Sequence, residues 1–463
     1  MPDHGTLFLT GQMLRRFKYC LIILLIISSS HQLTHAAEYI RDENPAPDSV
    51  EEVPDPINEN FRVKPRRGAI SPYLKDKIKD LPPFFSDSHV VLNARSFYFD
   101  RSITGDVENV AWALGGSLSY ESGLIKDIFS IGTELFTSQK LYGPEDKDGT
   151  LLLKPGQEGF TVLGRAYAKL NYQDIISASL YRQYYNLPYV NKQFSRMVPN
   201  TFEGYSVSGD LGLIKYIAGY ISKMKERNSD EFISMSNAAG VDEVDNGLFM
   251  LGILFEPHEK FSVGAINYLV EDVINIFYSE TNFTHISKRG VGMKLSAQFT
   301  DQSSIGDDLL TGSDFSTQVF SSRLVLSYEH TVLGFAFSTT SNDRRIISPY
   351  GGYPGYISLM VNDFNRAGEE AFLLGLSYNF GKIGLDWLSF VTLYAYGYDA
   401  IDPAIKEDRP DRKEFNITVD FRPKISENRD LWLRVRYANV DIDGQDDSVN
   451  DFRIILNYYF TAL

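Results

Sequence analysis

The run Asp451-Phe452-Arg453-Ile454-Ile455-Leu456-Asn457-Tyr458-Tyr459-Phe460 sends Phe452, Ile454, Leu456, Tyr458 and Phe460 to one side of an extended backbone. Arg453, Asn457 and Tyr459 go to the other. Successive strand residues point to opposite faces, so the run has one apolar wall and one wet wall. Phe415 to Arg422 repeats the pattern, with Phe415, Ile417, Val419 and Phe421 alternating with Asn416, Thr418, Asp420 and Arg422. Leu431 to Tyr437 does so again, with Arg434 and Arg436 facing away from Leu433 and Val435. One such strand fits any half-buried sheet. Recurrence along an exported chain fits a transmembrane β-barrel, with lipid outside and water within.

Export is read from the amino terminus. Arg15, Arg16 and Lys18 precede the apolar run Leu21 to Ile27, and the small-residue region ends Thr34-His35-Ala36-Ala37. That order is a secretory signal peptide, assigned to residues 1–36. Its apolar core falls far short of the roughly 20 residues of a spanning helix. Met13 is a second candidate start. Cys20, the single cysteine, sits at the front of the apolar run, which argues against a lipid-modified terminus. It leaves with the signal, so the mature chain holds no disulfide. A closed barrel supplies stability another way, by hydrogen bonding every strand edge. The formal net charge of −15 disfavours nucleic acid as a partner. No later segment has the length of a membrane helix and overall hydropathy is negative, so an integral membrane protein of this composition has to be a barrel.

Residues 37–83 differ in kind. Seven acidic residues and the one base Arg41 lie between Glu38 and Asp55, and prolines stand at 45, 47, 54, 56 and 65. Such a leader cannot bury a core and is expected to be disordered. It reads as a periplasmic tether, a partial lumen insert or a solvated spacer, with a short helix over Pro72 to Asp80. From 84 to 463 the chain is a succession of short alternating segments broken by Gly, Asn, Asp and Pro. Aromatics make up 13% of the sequence and gather at Phe97-Tyr98-Phe99, Tyr184-Tyr185 and Tyr458-Tyr459-Phe460, as expected for interfacial girdles. A spanning strand with its connections uses about 20 residues, which leaves room for about 16 to 20 strands. Gly381 to Gly384 has the brevity of a periplasmic turn. Tyr142 to Pro155, Asp301 to Ser313 and Asp399 to Lys413 have the length of extracellular loops. Phe390 to Tyr398 resists a face assignment, because Val391, Leu393 and Ala395 oppose Tyr394, Tyr396 and Tyr398.

Two stretches go beyond pattern. Gly352-Tyr353-Pro354-Gly355-Tyr356, then Ser358 to Glu369 and Gly375-Leu376-Ser377-Tyr378-Asn379-Phe380, resembles the OprD family of outer-membrane porins. Ser195-Arg196-Met197-Val198-Pro199-Asn200-Thr201-Phe202-Glu203-Gly204 is similar to that family's Arg-x-x-Pro-x-Thr-Phe-x-Gly signature. The resemblance spans roughly Phe85 to Leu463. It implies an all-β, antiparallel transmembrane barrel of 18 strands with an inward loop forming an eyelet, passing amino acids, peptides or small carboxylates along basic side chains. Tyr184 to Glu203 is then the eyelet candidate, with Tyr184, Tyr185, Arg196 and Thr201 as its residues. Asp363, Asn365, Arg366 and Glu369 mark the other signature, either as a structural network in an external loop or as solute contacts.

Arg95, Arg165, Lys169, Arg323, Arg422, Arg434, Arg436 and Arg453 lie on the polar face of expected strands. A charge on the lipid face at mid-membrane costs about 2–4 kcal/mol, so these point inward. There they line the channel and favour anionic solutes, or pair with acids such as Asp420 and Glu329. The run Asp441 to Asp447 is acidic, but its glycine is misplaced for a calcium loop. His285-Ile286-Ser287 is the one hint of a barrel phospholipase, and nothing else supports a nucleophile, base and oxyanion site. His89, His258, His285 and His330 have no metal-ligand spacing. An adhesive or structural barrel is the remaining rival. The expectation is a passive porin without enzyme activity, cofactor or metal. Its expected partners are the bilayer, lipopolysaccharide and small hydrophilic solutes, with a homotrimer as the assembly to test.

Overall fold

A computed structural model of the protein describes residues 76–103, 107–173, 175–426, 429–444 and 448–461. The signal peptide and nearly all of the acidic leader therefore lie outside the described residues. Of the expected short helix, residues 76–78 are described and are helical.

Alternation of apolar and polar residues produces a single sheet. Its strands are β1 (His89–Ile103), β2 (Val107–Glu121), β3 (Phe129–Tyr142), β4 (Phe160–Tyr172), β5 (Ile176–Gln183), β6 (Thr201–Asp210), β7 (Ile214–Lys225) and the two-residue β8 (Ile233–Ser234). Then come β9 (Leu248–His258), β10 (Phe261–Val270), β11 (Ile274–Ile286), β12 (Gly292–Ser303), β13 (Ser316–Tyr328) and β14 (Thr331–Thr340). The last are β15 (Glu370–Phe380), β16 (Leu385–Tyr398), β17 (Arg412–Phe421), the short β18 (Lys424–Ser426), β19 (Arg429–Ile442) and β20 (Ser448–Thr461). With β8 and β18 set aside, the other 18 run antiparallel to their neighbours, and β20 pairs with β1, Arg95 facing Asn457. The sheet is a closed barrel without a free edge.

The outer wall is oily. Leu251 is 68% exposed, and Leu92, Leu114, Leu135, Phe335, Leu374, Phe415, Ile454 and Leu456 are exposed beside it. Lipid satisfies such a wall, whereas water would not. On β20 the alternation is as read: Phe452, Ile454 and Leu456 face out, while Asp451, Arg453 and Asn457 are buried within. Connections at the end where β1 begins and β20 finishes are short turns, such as 211–213, 259–260 and 329–330. At the other end, 143–159, 184–200, 226–247 and 341–369 are long.

These long loops turn inward, and three apolar clusters form between them and the inner wall. Leu152, Leu153, Met197 and Val198 pack against Phe97, Phe99 and Phe136. Tyr189, Tyr350 and Tyr353 pack against Tyr268, Ile276 and Tyr278. Tyr356, Ile357 and Phe364 pack against Val391, Leu393 and Ala395. Two sequence expectations change accordingly. Phe97 and Phe99 face the bore rather than a membrane girdle, since only Tyr98 of that trio points outward, and Tyr184 and Tyr185 likewise pack into the inner clusters instead of a girdle. The stretch around Tyr142 to Pro155 is an inward-folding loop in its second half. The ambiguous face of β16 is also settled: Tyr394 faces lipid, and Val391, Leu393 and Ala395 face a folded loop instead of water.

Candidate functional site

Two inward loops define the narrow part of the bore. Loop 184–200 leaves the end of β5, where the Tyr184 hydroxyl donates to Glu134 (3.1 Å) and its ring lies 4.4 Å from the Arg165 guanidinium. It reaches the wall of β10–β12, where the Tyr189 hydroxyl donates to Thr300 (2.9 Å) and the Pro188 carbonyl accepts from Tyr268. Lacking a strand partner, its backbone is satisfied locally, Leu187 N–H by Val190 O (2.9 Å) and Lys192 N–H by Tyr185 O (3.0 Å). Loop 341–369 is joined to it by the Asn191 amide, which accepts from Gly352 N–H (2.8 Å) and donates to Gly352 O (3.0 Å). At Gly351 a Cβ would stand 2.7 Å from Asn191 Oδ1 and 2.8 Å from its backbone nitrogen, so this crossing requires glycine.

The second loop is held by the barrel wall. Glu369, fully buried, accepts from Arg412 Nε (2.8 Å) and Nη2 (2.7 Å) and from Arg366 Nε (3.0 Å). Glu414 of β17 accepts from Val361 N–H (3.0 Å) and Asn362 N–H (2.8 Å). Between these anchors Asp363 is exposed to the bore, with Ser358 Oγ donating to it at 2.6 Å.

A cavity of about 950 Å³ lies where the loops meet the wall. Among the described residues seven arginines border it, Arg101, Arg196, Arg227, Arg344, Arg345, Arg436 and Arg453, against the two acids Glu226 and Asp363. Three of the seven surround one aromatic ring: the guanidinium carbons of Arg453, Arg196 and Arg101 lie 4.8, 5.0 and 5.4 Å from the centre of Phe99. A π-face attracts cations, which eases their crowding. Asp451, fully buried, neutralises part of the cluster through Arg453 (2.7 Å) and Arg101 (2.7 Å). Arg196 instead donates to the Thr150 (2.7 Å) and Ser195 (2.9 Å) carbonyls, and Arg227 to Ser195 Oγ (2.8 Å). Burial, with Arg453 and Arg227 near, holds Arg196 well below its usual range. Burial and Arg453 bring Arg227 down to about 10. Guanidinium groups keep their proton in proteins, so these shifts mark cations held at a cost, first of burial and then of neighbouring arginines.

The sequence model of the outer membrane porin, OprD family, matches residues 82–462. The chain belongs to the OprD family. Solved porins share its fold at low identity. OccK9 (OpdG) of Pseudomonas aeruginosa superposes with a TM-score of 0.74 at 22% identity, covering 82% of this chain and 100% of its own. OpdK of Pseudomonas aeruginosa, solved with vanillate, gives 0.73 at 17%, with 82% and 100% covered. OccAB1 of Acinetobacter baumannii gives 0.73 at 16%, with 83% and 99% covered. No curated protein sequence matches significantly. As an OprD-family porin, the barrel resides in the outer membrane, its oily wall against the bilayer and small solutes passing within.

In this OprD porin the eight basic residues read from strand parity separate into two groups. Arg436 and Arg453 border the cavity. The rest are held in the wall: Arg95 with Asn457 (3.1 Å) and the Phe194 ring (4.6 Å), Arg165 with Glu134 (3.0 Å), Arg323 over Tyr356 (4.2 Å), Arg422 with Asp430, and Arg434 with Asp420 (2.7 Å). Lys169 is buried on the same side of β4 as Arg165. In the inward loop, Arg196 borders the cavity and Tyr185 packs edge-on against Phe202; the loop is shorter than the expected Tyr184 to Glu203, because Thr201 to Glu203 already pair in β6, where Thr201 is buried. Of the second motif, Asp363 and Asn365 border the cavity, whereas Arg366 and Glu369 form a buried ion pair. That motif lies inside the bore, not in an external loop. His285 is exposed at the end of β11, Ser287 Oγ accepts from Val291 N–H in a turn, and among the described residues no hydrogen bond joins the two. Arg101, Arg227, Arg344 and Arg345 were not singled out. The parity of Arg95, Phe97 and Phe99 points to Arg101, but no periodicity exists for the three loop arginines.

Proposed function

We propose that this OprD porin is a passive channel selective for small solutes carrying a carboxylate, such as amino acids, peptides or simple organic acids. The reading is carried by the charge imbalance at the joined loops, seven arginines against two acids on one cavity. Fixed cations in a narrow aqueous bore lower the barrier for an anion and raise it for a cation. A solute carboxylate replaces hydration with guanidinium hydrogen bonds, the stronger charge-assisted kind. OpdK, a fold relative, was solved with vanillate, itself a carboxylate, which supports the same class here. Lipopolysaccharide around the outer loops belongs to this reading. A homotrimer is the assembly to test, by native mass in detergent.

Purified protein in planar bilayers tests the reading. Across a salt gradient the reversal potential is expected to show anion preference, and added carboxylates are expected to reduce the current more than uncharged analogues of equal size. Cation preference would refute the carboxylate assignment. Absence of conductance would favour a structural or adhesive barrel.

A further inference from the structure

Asp363 is the acid that loop 341–369 presents to the arginine-lined cavity, and its place depends on side chains of the barrel wall. The segment before it is gripped atom by atom. Arg453 of β20 donates to Met360 O (3.1 Å), and Arg412 of β17 donates to Asn362 Oδ1 (2.8 Å). The two Glu414 oxygens take Val361 N–H (3.0 Å), Asn362 N–H (2.8 Å) and Asn362 Nδ2 (2.9 Å). A backbone bond from Leu359 N–H to Asn362 O (2.9 Å) closes the turn. Phe364, next in the chain, is fully buried under the Arg412 guanidinium (4.7 Å) with a left-handed backbone. Its ring is admitted by Gly397, where a Cβ would come within 2.7 Å of it.

We infer that Glu414, fully buried on β17, is a positioning residue for selectivity: its carboxylate fixes the Val361–Asn362 backbone and thereby sets Asp363 against the arginines of the cavity. The chemistry is specific. Three N–H donors converge on one side chain, and only a group with two acceptor oxygens satisfies them. A glutamine puts an NH₂ where one donor already points, so its single carbonyl oxygen cannot serve both sides and at least one part-buried donor is left unpaired. The strand is held elsewhere, by its ladders with β16 and β19, so losing this grip frees the turn rather than the barrel.

This inference rests on the bore being the conducting path and Asp363 facing it. Reversal potentials in a salt gradient at neutral pH would be compared for the full-length protein and for Asp363→Asn, Glu414→Gln, Glu414→Asp and the Asp363→Asn/Glu414→Gln double variant. Loss of one acidic charge from the bore is expected to raise the anion-to-cation permeability ratio about twofold. Glu414→Gln is expected to give most of that rise, Glu414→Asp less of it, and the double variant no more than Asp363→Asn alone. Independent addition of the two effects, or wild-type selectivity in Glu414→Gln, overturns the positioning role and leaves the carboxylate-channel reading standing. If Asp363→Asn changes nothing while cavity arginine variants do, the inference falls alone; if neither changes selectivity, both fall. Should Glu414→Gln fail to assemble, Asn362→Ala, which removes one bond to Glu414 and one to Arg412, carries the same comparison with the same outcomes.

Discussion

Replacing Arg227 by alanine is the most discriminating perturbation of the cavity. Its guanidinium borders the bore, donates to Ser195 Oγ and is repelled by Arg453 and Arg101. Removing it deletes one positive charge and breaks no hydrogen-bonded ion pair among the described residues, although Glu226 and Asp363 lose its attraction. For an anion passing at about 5 Å, the lost attraction is about 0.8 kcal/mol at the dielectric constant of water and several-fold more at lower values. About 1 kcal/mol corresponds to about a fivefold fall in anion preference. Since the Debye length shrinks from about 10 Å at 0.1 M salt to about 3 Å at 1 M, the effect should be large in dilute salt and small in concentrated salt. Arg434→Ala is the contrast. Arg434 is tied to Asp420, and both are about nine-tenths buried. Breaking such a pair costs about 3–5 kcal/mol, and neither member borders the cavity. The outcome expected for Arg434→Ala is lower stability with nearly unchanged reversal potential. Wild-type selectivity in Arg227→Ala at 0.1 M salt, or a larger selectivity shift in Arg434→Ala, would refute the division into cavity and wall arginines.

Further outcomes follow from the same geometry. Arg436→Ala alone should reproduce the selectivity shift of an Arg434→Ala/Arg436→Ala double variant, because Arg436 alone of the two borders the cavity; the reversal potentials of single and double variants check this. Asn191→Ala removes both bonds to Gly352, so the joined loops should part and single-channel recordings should show a larger, noisier conductance. Although the Asp363 side chain reaches the bore, its position deep within the barrel desolvates the carboxyl and raises its pKa above the usual range, outweighing Ser358, Arg412, Arg227 and Arg345. Acidification through this raised pKa, above the usual carboxylate range, removes a bore negative charge, so anion preference should rise as pH falls, and Asp363→Asn should lack the step. For Glu369, burial pushes the pKa up but Arg412 and Arg366 outweigh it, leaving it below 4.5. A depressed folded pKa contributes stability above the unfolded value that is lost as pH falls through the folded one. Limited proteolysis of loop 341–369 should accelerate in that acid window, and Glu369→Gln should behave so already at neutral pH.

Legibility divides along the same line as the physics. Strand parity announces which side a residue occupies, so Phe452, Ile454 and Leu456 were readable as lipid-facing and Arg453 as inward. Parity says nothing about what fills the space inside. Arg95 and Arg453 are equivalent by alternation, yet Arg95 is covered by the Phe194 ring and Arg453 borders open space. On β16 the alternation itself disappears, because Val391, Leu393 and Ala395 meet Tyr356 and Phe364 rather than water and have no reason to be polar. The decisive contacts are also long in sequence: Glu414 reaches back to Asn362, and Asn191 forward to Gly352. Such pairs leave no local period. The motif around Asp363 was visible as a family resemblance, but its place in the bore follows from which donors Glu414 and Glu369 gather, and a buried carboxylate on an inner strand face facing a glycine-rich loop is the signal that would have shown it. A strand residue's parity therefore fixes its side of the wall, while its access to solute is decided by whichever loop folds over it.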